Sequence, residues 1–325
     1  MGCSRVRQEA KYQAINKVHE ERKWSIAWLC SLLKVSRASY YKWLNRDKSA
    51  YQKECEELMT LIVEYDERFR HILGYRRMTG YINHLNHKNY SIKFVRHMMK
   101  KLNIKAIIRR KKNTYTVSKE NEVADNILAR DFYATKPNEK WATDVTEFKV
   151  INSKEKLYLS AIIDLYDRSI VSYVISGRND NKLVFDTFKL AMKDNPDAKP
   201  IFHSDRGFQY TSKVFRYQLE QAGMIQSMSR VGRCIDNCPT EGLWGIIKSE
   251  MYYPYKFHSK EKLIKAIKDY IRFYNHERLQ ERYGFKAPLQ VRKEALKKDV
   301  PTQYPIAENK RIAKYYAQKL LTSER

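Results

Sequence analysis

The chain has 325 residues, long enough for two or three domains. Its 63 Lys and Arg against 37 Asp and Glu give a formal net charge of +26, which draws it to polyanions, nucleic acid first. No apolar run reaches the eighteen residues of a membrane span, and "MGCSRVRQEAKYQ" lacks the apolar core of a signal peptide. Five scattered cysteines (Cys3, Cys30, Cys55, Cys234 and Cys238) show no disulfide framework, so a cytoplasmic location is expected.

In chain order, "SIAWLCSLLKVSRASYYKWLNR" (residues 25–46) predicts helix, turn and helix. Ser25 and Ser36 are placed as caps, with Ile26, Leu29, Leu32 and Leu33 at helical spacing and Trp43 and Leu44 inward. The second helix offers Arg37, Tyr40 and Lys42 to bases and phosphates. A helical hairpin without DNA is the plainer alternative. A second helical unit follows, in "LGYRRMTGYINHLN" and "SIKFVRHMMKKLNI".

From His71 to Lys119 there are thirteen Lys and Arg and no Asp or Glu, a composition that fits phosphate contact better than a solvated face. Arg76, Arg77, Arg109, Arg110, Lys111 and Lys112 are the expected DNA contacts there. His84, His87 and His97 lack a nearby C-x-x-C and are read as structural or phosphate-facing. The expected division is a helix-turn-helix DNA-binding domain at 1–50, a second basic helical domain at 51–112, a linker at 113–136, a core at 137–295 and a tail at 296–325 ending in a short basic helix.

From Lys140 the period changes to that of strands. "KWATDVTEFKV", "KLYLSAIIDLY" and "SIVSYVIS" predict three antiparallel strands. A helix, the short strand "KPIFHSD", a helix capped by Thr211 or Ser212 and stopped by Gly223, and the strand "IQSMS" follow, giving a mixed α/β layer. Asp144 falls inside the first strand and Asp205 at the end of the fourth, while Glu241 rides the helix of "DNCPTEGLWGIIKSE". A carboxylate in an apolar strand is costly unless solvated, paired or metal-bound. If the first and fourth strands are neighbours, the aspartates meet. Three clustered carboxylates call for hard divalent cations, Mg²⁺ or Mn²⁺, two of which about 3.5 to 4 Å apart serve phosphodiester chemistry. Lys248 lies seven residues beyond Glu241, on the same face about 10.5 Å along the axis, and is expected at a phosphate.

Other acids receive plainer readings. Of Glu147, Asp164 and Asp167, two sit beside strand ends or a turn, where acids are ordinary, and Asp236 is read as a helix cap. His203 shares the strand face of Asp205, either packed or touching metal-bound water or DNA. Cys234 and Cys238 lack a second pair and are read as structural.

The blocks "WATDVTEF", "HSDRGFQYTS" and "DNCPTEGLWGIIKSE", with 35 residues between Asp205 and Glu241, resemble the D-D-E transposases related to retroviral integrases. "VSRASYYKWL", "GYRRMTGYIN" and "YIRFYNHERLQERYGFKAPLQVR" narrow the resemblance to OrfB-type transposases of the insertion-sequence-three family. Gly242, Leu243, Trp244 and Arg233 depart from that family's pattern.

The resemblance implies an RNase H-like catalytic core, a five-stranded mixed sheet with flanking helices, preceded by an all-α helix-turn-helix region. It implies Asp144, Asp205 and Glu241 as catalytic metal ligands for two Mg²⁺ or Mn²⁺ ions, with Lys248 and Arg206 toward DNA. It also implies cleavage and strand transfer on double-stranded DNA at element ends, a homo-multimer in the synaptic complex, an upstream-frame partner or fusion, and a bacterial, nucleoid-associated setting. A DNA-binding regulator with an inactive or domesticated core, and a plain RNase H-like nuclease, are the alternatives.

Overall fold

The computed structural model describes residues 8–47, 49–107, 126–128, 131–230 and 237–306. Arg109, Arg110, Lys111, Lys112, Arg233, Cys234, Asp236 and the expected terminal helix lie outside those residues. The chain divides into two compact units, Met1–Leu61 and Ile62–Arg325.

In the first unit, α1 (Gln8–Arg22), α2 (Ile26–Leu32) and α3 (Arg37–Leu44) enclose a small core of Tyr12, Ile15, Leu29, Cys30 and Tyr40. The turn between α2 and α3 passes through Lys34 at φ 53°. Ser25 and Ser36 do stand at the N-caps, but neither side chain accepts a capping bond. Tyr40 is fully buried and its hydroxyl donates to Asn16 Oδ1 at 3.1 Å, so it is a core residue and not a DNA contact. Leu32 and Leu44, expected inside, are exposed, because so small a core has room for one side of each short helix.

The second unit begins within α4 (Ala50–Arg68), followed by α5 (Tyr75–Asn86) and α6 (Ile92–Lys101). Ser91 caps α6 by accepting from Phe94 N at 3.2 Å. The sheet comprises β1 (Lys140–Lys149), β2 (Lys156–Asp164), β3 (Ile170–Ser176), β4 (Ile201–Ser204) and β5 (Ile225–Met228), in the order β3-β2-β1-β4-β5. The first three strands are antiparallel, whereas β4 pairs parallel to β1 and β5 parallel to β4. This is the five-stranded mixed sheet of the RNase H-like class.

Alternation along β1 sends its side chains to two cores. Trp141 joins Ile162, Val184, Phe188, Phe202 and Phe215 on the side of α7 (Asn181–Asp194) and α8 (Lys213–Gln221). Ala142 and Phe148 face the other side, with Leu243, Trp244 and Ile247 of α9 (Cys238–Ile247) and Leu263, Ile267 and Ile271 of α10 (Lys260–His276). Asp144 has the parity of Ala142, so it points toward α9. Ser212, rather than Thr211, caps α8, and Gly223 ends it at φ +67°.

α5 is fastened to the segment after α10. Tyr81 donates to the carbonyl of Glu277 at 3.1 Å and accepts from Leu279 N at 2.9 Å. The Phe285 ring lies directly on Gly80, where a Cβ would overlap it. Gly80→Ala is therefore expected to cost about 1–3 kcal/mol of stability or more by overpacking, read as a lowered urea midpoint. An unchanged midpoint would show that the Phe285 ring moves aside freely.

Candidate active site

The parallel pairing of β1 with β4 sets Trp141 opposite Phe202 and Ala142 opposite His203. Two residues farther along each chain come Asp144 and Asp205, so the register that pairs the strands also brings these carboxylates level. Asp144 is anchored at both oxygens. Oδ1 accepts from Val145 N at 2.7 Å, and Oδ2 accepts from the Trp244 indole Nε1 at 3.0 Å. Asp205 Oδ1 accepts from Gly207 N at 2.9 Å across a tight turn. A side chain at Gly207 would press on that oxygen and on Gln209, which is why the turn holds glycine.

The pair is electrostatically strained. Burial and then the charge of Asp205 push Asp144 up to about 7, against the Trp244 and Val145 hydrogen bonds, and Glu241 adds a last upward push. Asp205 is raised by burial, with the Gly207 N–H opposing. Beneath them Tyr210, whose hydroxyl lies 3.2 Å from Thr143 Oγ1, is raised well above its ordinary value by burial and by both aspartates. Sequence reasoning missed Tyr210, and its position five residues after Asp205 in "HSDRGFQYTS" was the available signal.

The third acid lies nearer the surface, though its charge still reaches Asp144. Glu241 is exposed in the first turn of α9. Among the described residues, no group of three or more His, Cys, Asp or Glu side chains is arranged to hold a metal ion. The structure thus brings together Asp144 and Asp205 and leaves Glu241 at the rim. Two adjoining half-buried carboxylates with oxygen-only donors fit a hard divalent cation, which would relieve the repulsion that raises Asp144.

The neighbouring residues divide into those that face the pair and those used elsewhere. Lys248, half-buried at the start of a π-helical turn (Lys248–Tyr252), sets Nζ 5.4 Å from the Phe148 ring centroid. Burial lowers its pKa while Asp144 and Glu147 raise it, which puts the ammonium in the field of Asp144. Arg206 Nε donates to the Ser229 carbonyl at 2.6 Å and so ties the Asp205 turn to the segment after β5. His203 is fully buried between the hydroxyls of Ser227 and Ser229, at 3.0 and 3.2 Å, and takes the packed role.

Glu147 pairs with Lys156 at 3.0 Å. Asp164 and Asp167 both pair with Arg292, at 2.9 and 3.1 Å, which removes them from consideration as metal ligands. Arg77 also differs from expectation: its Nη1 donates to the buried Glu250 at 2.8 Å, inside the unit and not at DNA. Arg37, Lys42 and Arg76 are exposed. His84, His87 and His97 are exposed as well.

Sheet, acid pair and basic helical region together are those of an integrase core preceded by a basic helical part. Residues 134–234 and 241–296 match integrase core domain families, and residues 53–112 match an HTH-like domain, which falls on α4 to α6. The putative transposase InsK for insertion sequence element IS150 of Escherichia coli (strain K12) is 39% identical over 67% of this chain and 77% of its own length. The transposase InsF for insertion sequence IS3A of the same organism is 28% identical over 80% of this chain and 90% of its own. Among solved structures, the HTLV-2 integrase catalytic core domain in complex with magnesium is 20% identical with a TM-score of 0.38, over 48% of this chain and 96% of that one. The chain belongs to the insertion-sequence-three family of integrase-core transposases.

Proposed function

We infer that this transposase cleaves DNA at element ends and joins the freed 3′-hydroxyl to another phosphodiester, in a reaction dependent on Mg²⁺ or Mn²⁺. The observation that carries this reading is the Asp144–Asp205 pair, two half-buried carboxylates brought level by the β1–β4 register, with the charge of Asp205 raising Asp144. Asp144 and Asp205 would hold the divalent ions, and Glu241 would complete the set from the first turn of α9. When bound, two such ions supply activation of the attacking oxygen and stabilisation of the leaving one.

The chain's own groups do the positioning. The Trp244 and Val145 N–H groups fix the plane of the Asp144 carboxylate, and the Gly207 N–H does the same for Asp205. Lys248, whose ammonium lies in the field of Asp144, meets the phosphate that arrives there. The helical parts at 1–50 and 51–112 hold duplex DNA, 113–136 links them to the core at 137–295, and handling two ends calls for a homo-multimer in a cytoplasmic, nucleoid-associated setting.

One observation favours a second reading, a DNA-binding regulator with an inactive core: Glu241 is exposed in the first turn of α9. The deciding experiment incubates purified protein with labelled element-end duplex and Mg²⁺ or Mn²⁺, beside Glu241→Gln. Terminal nicks and joined products that vanish in the variant are expected. Binding with no nick in either metal supports the regulator instead.

A further inference from the structure

We propose that α6, and not α3, is the helix that enters the major groove of duplex DNA, presenting Lys93, Arg96, His97 and Lys100. This rests on the reading that the chain binds element ends, but not on its cutting them. The four residues recur at i, i+3, i+4 and i+7, and all four are exposed. Val95, Met98 and Met99, on the opposite side of the helix, are buried. α6 is therefore divided into an anchoring face and a cationic face. At ten residues it is about 15 Å long, enough to lie in a groove about 12 Å wide. Ile92, exposed at the helix N-terminus, adds an apolar group of the kind that meets thymine methyls.

The approach to α6 is also suited to phosphate. The Tyr75 ring has the Arg76 guanidinium 5.8 Å from its centroid and that of Arg96 at 5.3 Å, so one ring steadies two cations, one from each helix of the hairpin. From His71 to Ile107, the described part of the basic segment, there is no Asp or Glu. Glu281 is the acid that lines the cleft beside Ser91 and Ile92, at the end of α6 away from Lys100.

α3 offers no equivalent face. Its two exposed cations, Arg37 and Lys42, are five residues apart, which sets them about 140° apart around the helix. Tyr40 is turned into the core, and exposed Tyr41 and Leu44 occupy much of the outward surface.

The test measures binding alone, in metal-free buffer with chelator, by fluorescence anisotropy of the full chain. One duplex covers the terminal repeat flanking this reading frame, and the other is unrelated and of equal length. Arg96→Ala/Lys100→Ala is expected to reduce the preference for the terminal repeat about tenfold. It should also lower the slope of log affinity against log salt by about one per cation removed. Arg37→Ala/Lys42→Ala should leave the preference within about twofold. Thermal melts check folding, and Lys93→Ala/Lys100→Ala, which spares the Tyr75 stack, replaces the first pair if Arg96→Ala unfolds the hairpin. The reverse pattern, a preference untouched by both α6 pairs, or a wild-type chain with no preference overturns the proposal. Because no cleavage is read, a chain that recognises the repeat yet never cuts it fails only the strand-transfer reading.

Discussion

Asp144→Asn is expected to abolish strand cleavage and, at the same time, to make the protein more stable at pH 8. Asp144 titrates at about 7 in the folded chain against an ordinary 3.8, chiefly because of burial and the adjacent Asp205. Between those values the folded state holds a proton that the unfolded state has released. Stability therefore falls as pH rises from about 4 to about 7, with the full penalty present above that. At about 1.4 kcal/mol per pKa unit, the penalty is at most about 4 kcal/mol.

Asparagine removes the charge but offers only one acceptor oxygen to the Val145 and Trp244 N–H groups, which costs about 1 kcal/mol at any pH. The variant should thus be slightly less stable than the parent at pH 4 and more stable at pH 8, as read by thermal melts. Mg²⁺ should raise the midpoint of the parent at pH 8 and leave the variant nearly unchanged. A stability difference that does not vary with pH would remove the electrostatic basis of the site. Asp167, also pushed up to about 7 by burial, is common to both proteins and cancels in the difference.

The second large effect is at Glu250, where the sign reverses. This buried carboxylate accepts from Arg77 Nη1 at 2.8 Å, from Arg278 Nη2 and Nε at 2.8 and 3.1 Å, and from the Tyr270 hydroxyl at 2.7 Å. Burial, the largest single influence, would raise its pKa, but the two guanidinium charges and their hydrogen bonds prevail and hold it below the ordinary carboxylate value. Its contribution is present above the ordinary carboxylate pKa and is lost as pH falls through the lowered one.

Glu250→Ala leaves two guanidinium groups without their shared counter-charge and should cost about 3–5 kcal/mol in urea unfolding. Glu250→Gln, which keeps the shape and part of the hydrogen bonding, should cost less. The π-helical turn that carries Glu250 continues directly from α9, so this knot also fixes the end of the helix that bears Trp244 and Glu241. Equal losses in both variants would mean that packing, and not charge, holds the knot together.

Alternation and helical spacing are local properties, so the helix, turn and helix of residues 25–46 and the run of strands and helices from Lys140 to Met228 were legible in the sequence. Asp144 and Asp205 were legible as acids inside and at the end of apolar strands, and Glu241 as the carboxylate opening the helix of "DNCPTEGLWGIIKSE". The basic segment was equally legible, as a matter of composition. Which sides of α2 and α3 face the core was not, because Leu32 in the first and Tyr40 and Leu44 in the second all sit in a helical pattern and only the small size of the packed unit decides which are covered.

Tertiary structure alone decided that β4 lies parallel against β1, which is what brings Asp205 level with Asp144. Partners 173 residues apart joined Arg77 to Glu250, and partners 125 and 128 residues apart joined Arg292 to Asp167 and Asp164. No window of sequence records such pairs. A buried charge is paired by whichever distant element packs over it, so the residue types are local facts while their partners belong to the fold.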